Sequence, residues 1–389
     1  MEKNLKSMSA QRYKVNNSGN ICSTGVVSAP DKALLIIVGF LSLIGIMMIL
    51  SAGASKCTAL GVNPGSFAFK QLFWFIAGLF GMSWFAKYNY KNLAKYAVPF
   101  AWVVVFLLVL VDFTPLGVTV NGAKRWLALG PAQFQPSEMT KLAVAMLLAC
   151  AFAKDSNIFN SDKILKYFLP ILVMAGLTAA QPNLSMVIIL AIVCLCVYII
   201  AGGSIKMLVT MGVSAGLLLA FKIKPYQMSR IQVWLNPESD PYGGGYNIIQ
   251  SLLAFVSGGF LGVGYGASKQ KLEWLPEAHT DFIYAVIGEE WGFIGCFGVI
   301  CLFLWFIYRG MHIAISCKDM FGKILAAGLT ISIGSQGFIN MSVASSFVPA
   351  TGVPMPFISY GGTSLFVTLC MVGILLNISK IRITRMENV

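Results

Sequence analysis

The segment KLEWLPEAHTDFIYAVIGEEWGF, residues 271–293, holds the densest polar chemistry of the chain. Lys269, Lys271, Glu273, Glu277, His279, Thr280 and Asp281 arrive just before a long apolar run, and Glu289 and Glu290 lie inside it. Ionisable groups at or within a membrane segment are costly, so they mark functional sites by default. Asp281 opens several readings. It suits the N-cap of the helix that follows. A carboxylate partly withdrawn from water also has the raised pKa that a general base needs, and it can ligate a metal. His279, two residues earlier, is placed to hydrogen-bond a substrate or to sit in the interface. Glu289 falls about 80° round the helix from Asp281 and roughly 12 Å deeper, while Glu290 faces nearly the opposite way. The two glutamates cannot both join Asp281 in one site. Pairing inside the bundle with a basic side chain or a backbone donor is expected.

A second constellation is NGAKRWLALGPAQFQPSEMTK, residues 121–141. Asn121-Gly122 is a strong turn signal. Lys124 and Arg125 supply positive charge, Arg125 as a bidentate fork for phosphate and Lys124 as a point charge. Glu138 and Lys141 are three apart and neighbours on one helical face. They read either as a surface ion pair at a helix start or as a rim pair that tunes a second group such as Asp281. A third group is Arg230 with Lys222, Lys224 and Gln250, each able to face an anionic headgroup. For Lys222 and Lys224, snorkelling accounts for the charge without a ligand.

The elements that position these residues are membrane spans. Of 389 residues, 57% are hydrophobic and 11% charged. Soluble globular chains average about 25% charged residues. Mean hydropathy is +0.76. Apolar runs of about 20 residues recur along the chain, which predicts an all-α polytopic membrane protein. A β-barrel would show short alternating segments. Ten spans are expected, at roughly 33–53, 71–88, 94–112, 138–153, 166–181, 184–201, 205–222, 281–307, 323–345 and 363–379. The first is read as a retained span, not a signal peptide. Residues 1–31 read as a disordered cytoplasmic tail and 381–389 as a second tail. Residues 32–380 form one domain with a large outer loop, 223–280. With the N-terminus inside, 18 of the 28 Lys and Arg residues fall on inner segments, which favours cytoplasmic termini in the inner membrane. The same bias explains the net charge of +13 without nucleic acid. Eight of the ten outer basic residues cluster in or beside loops 113–137 and 223–280, where an anionic ligand is one reason for them. Most of the nine cysteines lie in apolar runs and read as small buried hydrophobes.

Two loops stand out. SLLAFVSGGFLGVGYG, residues 251–266, is too short and glycine-broken for a span and reads as an interfacial or re-entrant element. Its glycines allow close approach of a ligand or another helix. The loop 346–362, containing FVPATGVPMPFISYGG, is stiffened by three prolines.

NGAKRWLALG…QPSEMTK, RIQVWLNPESDPYGGGYNIIQSLLAFVSGGFLGVGYGASKQK, LPEAHTDFIYAVIGEEWGFIG and PATGVPMPFISYGGTSL together resemble the SEDS family of FtsW, RodA and SpoVE. The likeness spans about residues 33–380 in family order. SKQK…LPEAHTDFI is more similar to the FtsW and SpoVE branch. The resemblance implies a ten-span peptidoglycan glycosyltransferase that polymerises lipid II on the outer face for septal wall synthesis. It implies Asp281 as the catalytic carboxylate. Lys124, Arg125, Glu138 and Lys141 match family positions near the same cavity; Arg230, Gln250, His279 and Thr280 are further substrate-binding candidates. The implied partners are a class B penicillin-binding protein, an FtsI-like transpeptidase, and other divisome membrane proteins. The cofactor admitted is a divalent cation, magnesium or manganese. One departure is QPNLSM at 181–186, where the family commonly has QPDLGT. The rival readings are a lipid II flippase, which intramembrane Glu289 and Glu290 also fit, and a division-site scaffold.

Overall fold

A computed structural model describes residues 29–380, apart from 60, 62, 121–122, 130–131, 154–163, 205–224 and 273. The segments 1–28 and 381–389, the expected span 205–222, Lys222, Lys224, Glu273 and Asn121-Gly122 lie outside the described residues.

The chain runs as α1 (Lys32–Ala59), α2 (Ser66–Lys87), α3 (Leu93–Phe113), a small sheet, α4 (Ser137–Ala153), α5 (Leu169–Ala180) and α6 (Leu184–Ile200). After the undescribed stretch come α7 (Pro225–Leu235), α8 (Tyr246–Gly258), α9 (Ile283–Ser316), α10 (Met320–Ala344) and α11 (Gly362–Ser379). Nine of the ten expected spans coincide with helices. Helices α1, α9, α10, α11 and α3 with its leading turn are long and apolar enough to cross a membrane; α6 and the 165–180 helix are shorter and apolar. The chain is a multi-pass membrane protein. Helices suit this solvent because every backbone bond closes within the segment. Packing follows from small residues at the contacts. A Cβ on Gly373 of α11 would lie 2.4 Å from the Met82 carbonyl of α2, so the two helices meet backbone to backbone.

Asp31, expected in the tail, belongs to the bundle. Its carboxylate accepts from the Leu34 amide at 3.0 Å, capping α1, and pairs with Arg309 of α9.

The segment expected as an outer loop holds a three-stranded antiparallel sheet, β1 (Gly117–Val120), β2 (Ala123–Leu129) and β3 (Ala132–Phe134), in that order. The signal was present in sequence: Asn-Gly between short runs with β-branched residues favours a hairpin. Val118 pairs with Trp126 and Thr119 with Lys124, so Arg125 is the extra residue of a bulge. Bulges bend the strand and re-aim a side chain.

The element 251–266 is α8 followed by a glycine loop that splices into a break in α9. Gly292 has φ 65° and ψ −162°, so α9 is two helical pieces across a kink. The amides of Val263 and Gly264 donate to the carbonyls of Glu289 and Glu290 at 3.0 and 3.1 Å. In return Phe293 and Ile294 donate to the carbonyls of Gly259 and Phe260 at 2.9 and 3.3 Å. The freed backbone groups of a broken helix are thus paired with protein, as a membrane interior requires. The sequence pattern missed the break because one glycine in an apolar run leaves the hydropathy unchanged.

The splice needs Gly262, which has φ +82° and no room for a Cβ, since one would sit 2.2 Å from the Glu290 carbonyl. Gly262→Ala is expected to lower stability by about 1–3 kcal/mol. Gly266→Ala, also at positive φ but facing open space, should cost less. Thermal unfolding of the two variants in detergent compares them; equal melting temperatures would remove the role given to the splice.

Candidate active site

Asp281 stands two residues before the first turn of α9. The cap of that helix is Phe282, with no side-chain cap bond, so the N-cap reading of Asp281 does not hold. A tight turn precedes it. Thr280 and Phe282 donate their amides to the Glu277 carbonyl at 3.1 and 3.3 Å, and Glu277 itself has φ 55°. The turn is fastened to the 346–361 loop from both sides. The Tyr360 amide donates to the His279 carbonyl at 2.9 Å, and the Ser359 hydroxyl to the Thr280 carbonyl at 2.5 Å. The Asn340 amide of α10 donates to the carbonyl of Asp281 at 2.8 Å.

Opposite Asp281 lies Gly352. A Cβ there would sit 3.6 Å from Asp281 Oδ2 and 3.8 Å from Arg125 Nη1, so carboxylate and guanidinium face the same small space. The bulge in β2 delivers Arg125 to this point. Its Nε donates to the Gln181 carbonyl at 3.1 Å and its Nη2 to the Pro182 carbonyl, both at the α5–α6 corner. Arg230 of α7 reaches the same loop, Nη1 donating to the Ala350 carbonyl at 3.1 Å.

Burial pushes the half-buried Asp281 carboxyl up to about 7; Glu277 adds to the rise, and Arg125 and Arg230 pull against it. Burial also acts to raise Glu277, but the Thr280 hydroxyl at 2.8 Å and the Lys56 ammonium at 3.3 Å outweigh it and hold Glu277 below the usual carboxylate range. Two nearby carboxyls are thereby driven apart, one kept ionised and the other left to titrate near neutrality, a separation that assigns acid–base roles. His279 is buried, stacked on Phe67 at 5.0 Å between ring centres, and burial brings its imidazole down to about 4. It is a neutral packing group at pH 7.

The other expected residues are more dispersed. Lys124 Nζ donates to the carbonyls of Asp112 and Thr114 at 3.2 and 2.9 Å, serving the C-terminal end of α3, where a cation is favoured. Glu138 and Lys141 are fully buried and paired at 2.6 Å, so they are neither a surface pair nor a solvent-facing binding surface. Lys141 also donates to Gln336 Oε1 of α10. Gln250 sits half-buried on α8. Glu289 and Glu290 pair inside the bundle, as their spacing required. Glu289 accepts from the Ser268 hydroxyl at 2.5 Å and the amides of Lys269 and Gln270. Glu290 pairs with Lys271 at 2.8 Å and accepts from Ser51 of α1. Together they hold the 264–271 loop and do not line the Asp281 site. In QPNLSM, Asn183 caps α6 by accepting from the Met186 amide at 3.4 Å, a role Asp fills equally. The Ser185 hydroxyl donates to the Thr351 carbonyl at 2.7 Å.

Sequence reasoning missed Gln336, Asn340, Ser359 and Gly352. The first two had a signal: polar amides four apart within an otherwise apolar span share one helical face.

Bundle and site define a class: a multi-pass membrane protein with one carboxyl near neutrality beside two guanidiniums, at the mouth of a broken helix. Residues 32–383 match the family model described as "Cell cycle protein", that of FtsW, RodA and SpoVE. A relative from Trichlorobacter lovleyi named "Probable peptidoglycan glycosyltransferase FtsW" is 39% identical over 90% of this chain and 93% of that protein. Stage V sporulation protein E of Bacillus subtilis is 36% identical over 91% and 98%. Among solved structures, a peptidoglycan synthase complex that coordinates polymerisation and crosslinking superposes with TM-score 0.76 at 28% identity, covering 90% of this chain and 98% of that one. Thermus thermophilus RodA gives 0.67 at 25% identity, over 92% and 99%. The chain belongs to the FtsW/RodA/SpoVE family.

Difference infrared spectroscopy of the purified protein should place the Asp281 titration near pH 7. Glu277→Gln removes a charge that raises this carboxyl and should move the midpoint down. Arg230→Gln removes one that lowers it and should move the midpoint up; opposite movements would contradict the charge arrangement. The Glu138–Lys141 pair gives a second test. Lys141→Met leaves a buried carboxylate uncompensated and should destabilise by about 3–5 kcal/mol, while adding Glu138→Gln should recover part of the loss in thermal unfolding.

Proposed function

We propose that the chain is a peptidoglycan glycosyltransferase that polymerises lipid II into glycan strands. The observation that carries this reading is the placement of the Asp281 carboxyl, titrating near 7, with Arg125 across the space at Gly352. A general base works best with a pKa close to the operating pH. Asp281 takes the proton from the 4-hydroxyl of the acceptor lipid II. The resulting oxygen attacks the anomeric carbon of the growing chain, and that carbon's bond to the pyrophosphate breaks. Undecaprenyl pyrophosphate leaves with the electron pair. Arg125 and Arg230 stabilise its developing charge by preorganised donors, the larger share of such catalysis. Pyrophosphate is a good leaving group, so no separate acid is required. Gln250 is assigned to the outer parts of the substrate, Thr280 to the rim of the base, Lys124 to the end of α3 beside the sheet that carries Arg125, and Glu138 and Lys141 to the buried support behind it.

A divalent cation, magnesium or manganese, would be held mainly by the substrate pyrophosphate and would neutralise its developing charge. Among the described residues no three His, Cys, Asp or Glu side chains form a cluster able to hold one. Such ions bind through substrate phosphates and few carboxylates.

The excess of basic residues on one set of loops supports cytoplasmic termini and an Asp281 site on the outer face of the inner membrane. The likeness to FtsW proteins and to a synthase that couples polymerisation with crosslinking supports a role in septal wall synthesis. The same likeness supports work beside a class B penicillin-binding protein of FtsI type and other divisome membrane proteins.

Purified full-length protein with its penicillin-binding partner should polymerise lipid II at a rate that rises with pH through about 7, as Asp281 loses its proton. Asp281→Ala should lower that rate by about 10²–10⁴-fold. Wild-type polymerisation by Asp281→Ala would sink the base assignment. Transbilayer movement of labelled lipid II in vesicles without polymer would instead support a flippase.

A further inference from the structure

The segment 350–354 faces Asp281 and Arg125 through Gly352, yet it belongs to no helix or strand. Four of its carbonyls are held by side chains from three different helices. Ala350 accepts from Arg230 of α7 at 3.1 Å and Thr351 from Ser185 of α6 at 2.7 Å. Val353 accepts from Asn340 at 2.7 Å and Pro354 from Gln336 at 2.8 Å, both on α10. Among the described residues no side chain holds the carbonyl of Gly352, which sits in the middle of the series at φ +73°. An irregular strap inside a membrane protein must have its carbonyls paired by protein.

Asn340 differs from the other three holders. Its single amide group donates both to the Val353 carbonyl at 2.7 Å and to the Asp281 carbonyl at 2.8 Å. Both partners are acceptors, so only the NH₂ end of the side chain can face them. The two carbonyls thus set the orientation of the amide, and among the described residues none donates to the buried Oδ1 atom. Gln336, one turn earlier, is fixed just as firmly. Its Oε1 accepts from the Lys141 ammonium, which only donates, and its Nε2 donates to the Pro354 carbonyl, which only accepts. The buried Glu138–Lys141 pair therefore reaches the strap through Gln336.

We infer that Asn340 is a positioning residue that sets the separation between the Asp281 carboxyl and the Gly352 strap, with Gln336 transmitting the Glu138–Lys141 pair to the same strap. This rests on the glycosyltransferase reading for its catalytic consequence, but not for its geometry. Displacing a positioned group by about 1 Å can reduce turnover 100-fold with little change in substrate binding. The strap also closes one side of the space around Asp281. A drifting strap admits water and weakens the desolvation that acts on the carboxyl. The charged groups that act on the carboxyl are Glu277, Arg125 and Arg230; none of them bonds Asn340, although Arg230 is anchored to the strap at Ala350.

The test uses full-length protein with its penicillin-binding partner. Hydrogen exchange of the 350–353 amides and lipid II polymerisation across pH are measured for Asn340→Ala and, as a milder variant at the other end of the strap, Ser185→Gly. Expected for Asn340→Ala are faster exchange over 350–353, a kcat lower by about 10–100-fold with KM within about twofold, and an acid limb shifted to lower pH. Ser185→Gly should move the same readouts in the same direction by less. Unchanged exchange in both variants overturns the inference, as does faster exchange with wild-type kcat. So does a parallel fall of kcat and rise of KM without a shift of the acid limb, which a merely structural residue would give. If Asn340→Ala does not fold, Ser185→Gly decides alone by the same criteria. Should Asp281→Ala polymerise at the wild-type rate, the base reading falls while the exchange data still decide the positioning.

Discussion

The break in α9 at Gly292 is the constraint on which the site depends. A continuous helix would carry residues 283–316 straight through the bundle and need no help with its backbone. The left-handed glycine instead frees the carbonyls of Glu289 and Glu290 and the amides of Phe293 and Ile294. In hydrocarbon each unpaired group costs several kcal/mol, so the glycine loop 259–264 must supply their partners. Once that loop is committed, the rest follows. Glu289 fastens the Ser268 hydroxyl and the amides of Lys269 and Gln270, Lys271 is drawn to Glu290 and Ser51, and the chain is delivered to the turn at Glu277. Asp281 is thus held at the head of a short helical arm whose other end is spliced into the bundle.

The two intramembrane glutamates take their meaning from this break. Read alone, buried acidic residues in a span suggest transport or catalysis. Here, among the described residues, their side-chain bonds go to the loop that follows α8 or to α1, eight or nine residues beyond Asp281 in sequence. Their charges are local stitching for irregular backbone. The same logic governs the opposite wall of the site. The 350–354 strap is irregular too, and its carbonyls are taken up by Arg230, Ser185, Asn340 and Gln336. Polar side chains in this bundle gather where secondary structure stops.

Much of the scaffold was legible in the sequence. Apolar runs are long-range signals with few alternatives, so nine of the expected spans have helices at nearly the expected bounds. Asp281 stood out as a carboxylate at the entrance to an apolar run, but the local residues left several readings open, and it was the family resemblance that singled it out. Three features were hidden for physical reasons. The α9 break depends on one φ angle at Gly292, which hydropathy does not register. The bulge that turns Arg125 inward depends on strand register, set by pairing and not by residue type. The partners of Lys124 and Lys141 depend on tertiary contacts. At the level of sequence a lysine at a membrane rim reads as a phosphate contact, whereas Lys124 meets the carbonyl end of α3 and Lys141 is sealed between α4 and α10.

The remaining question is why one carboxyl of the pair titrates near neutrality while its neighbour four residues away stays ionised. Both are partly withdrawn from water, and burial alone would push both upward. Glu277 has short-range compensation, a hydroxyl and an ammonium in direct contact. Asp281 has compensation of longer range: Arg125 and Arg230 spend donors on the carbonyls of the 181–182 corner and of Ala350. Guanidiniums anchored in this way spend donors on backbone carbonyls and pull the carboxyl down without returning it to its ordinary value. Burial without them would leave the acid protonated at physiological pH; full ion pairing would leave a base too weak to take a hydroxyl proton. The carbonyl anchors on the two arginines therefore matter as much as the charges. They keep Asp281 between these limits and leave positive charge facing the space where a pyrophosphate would develop its own.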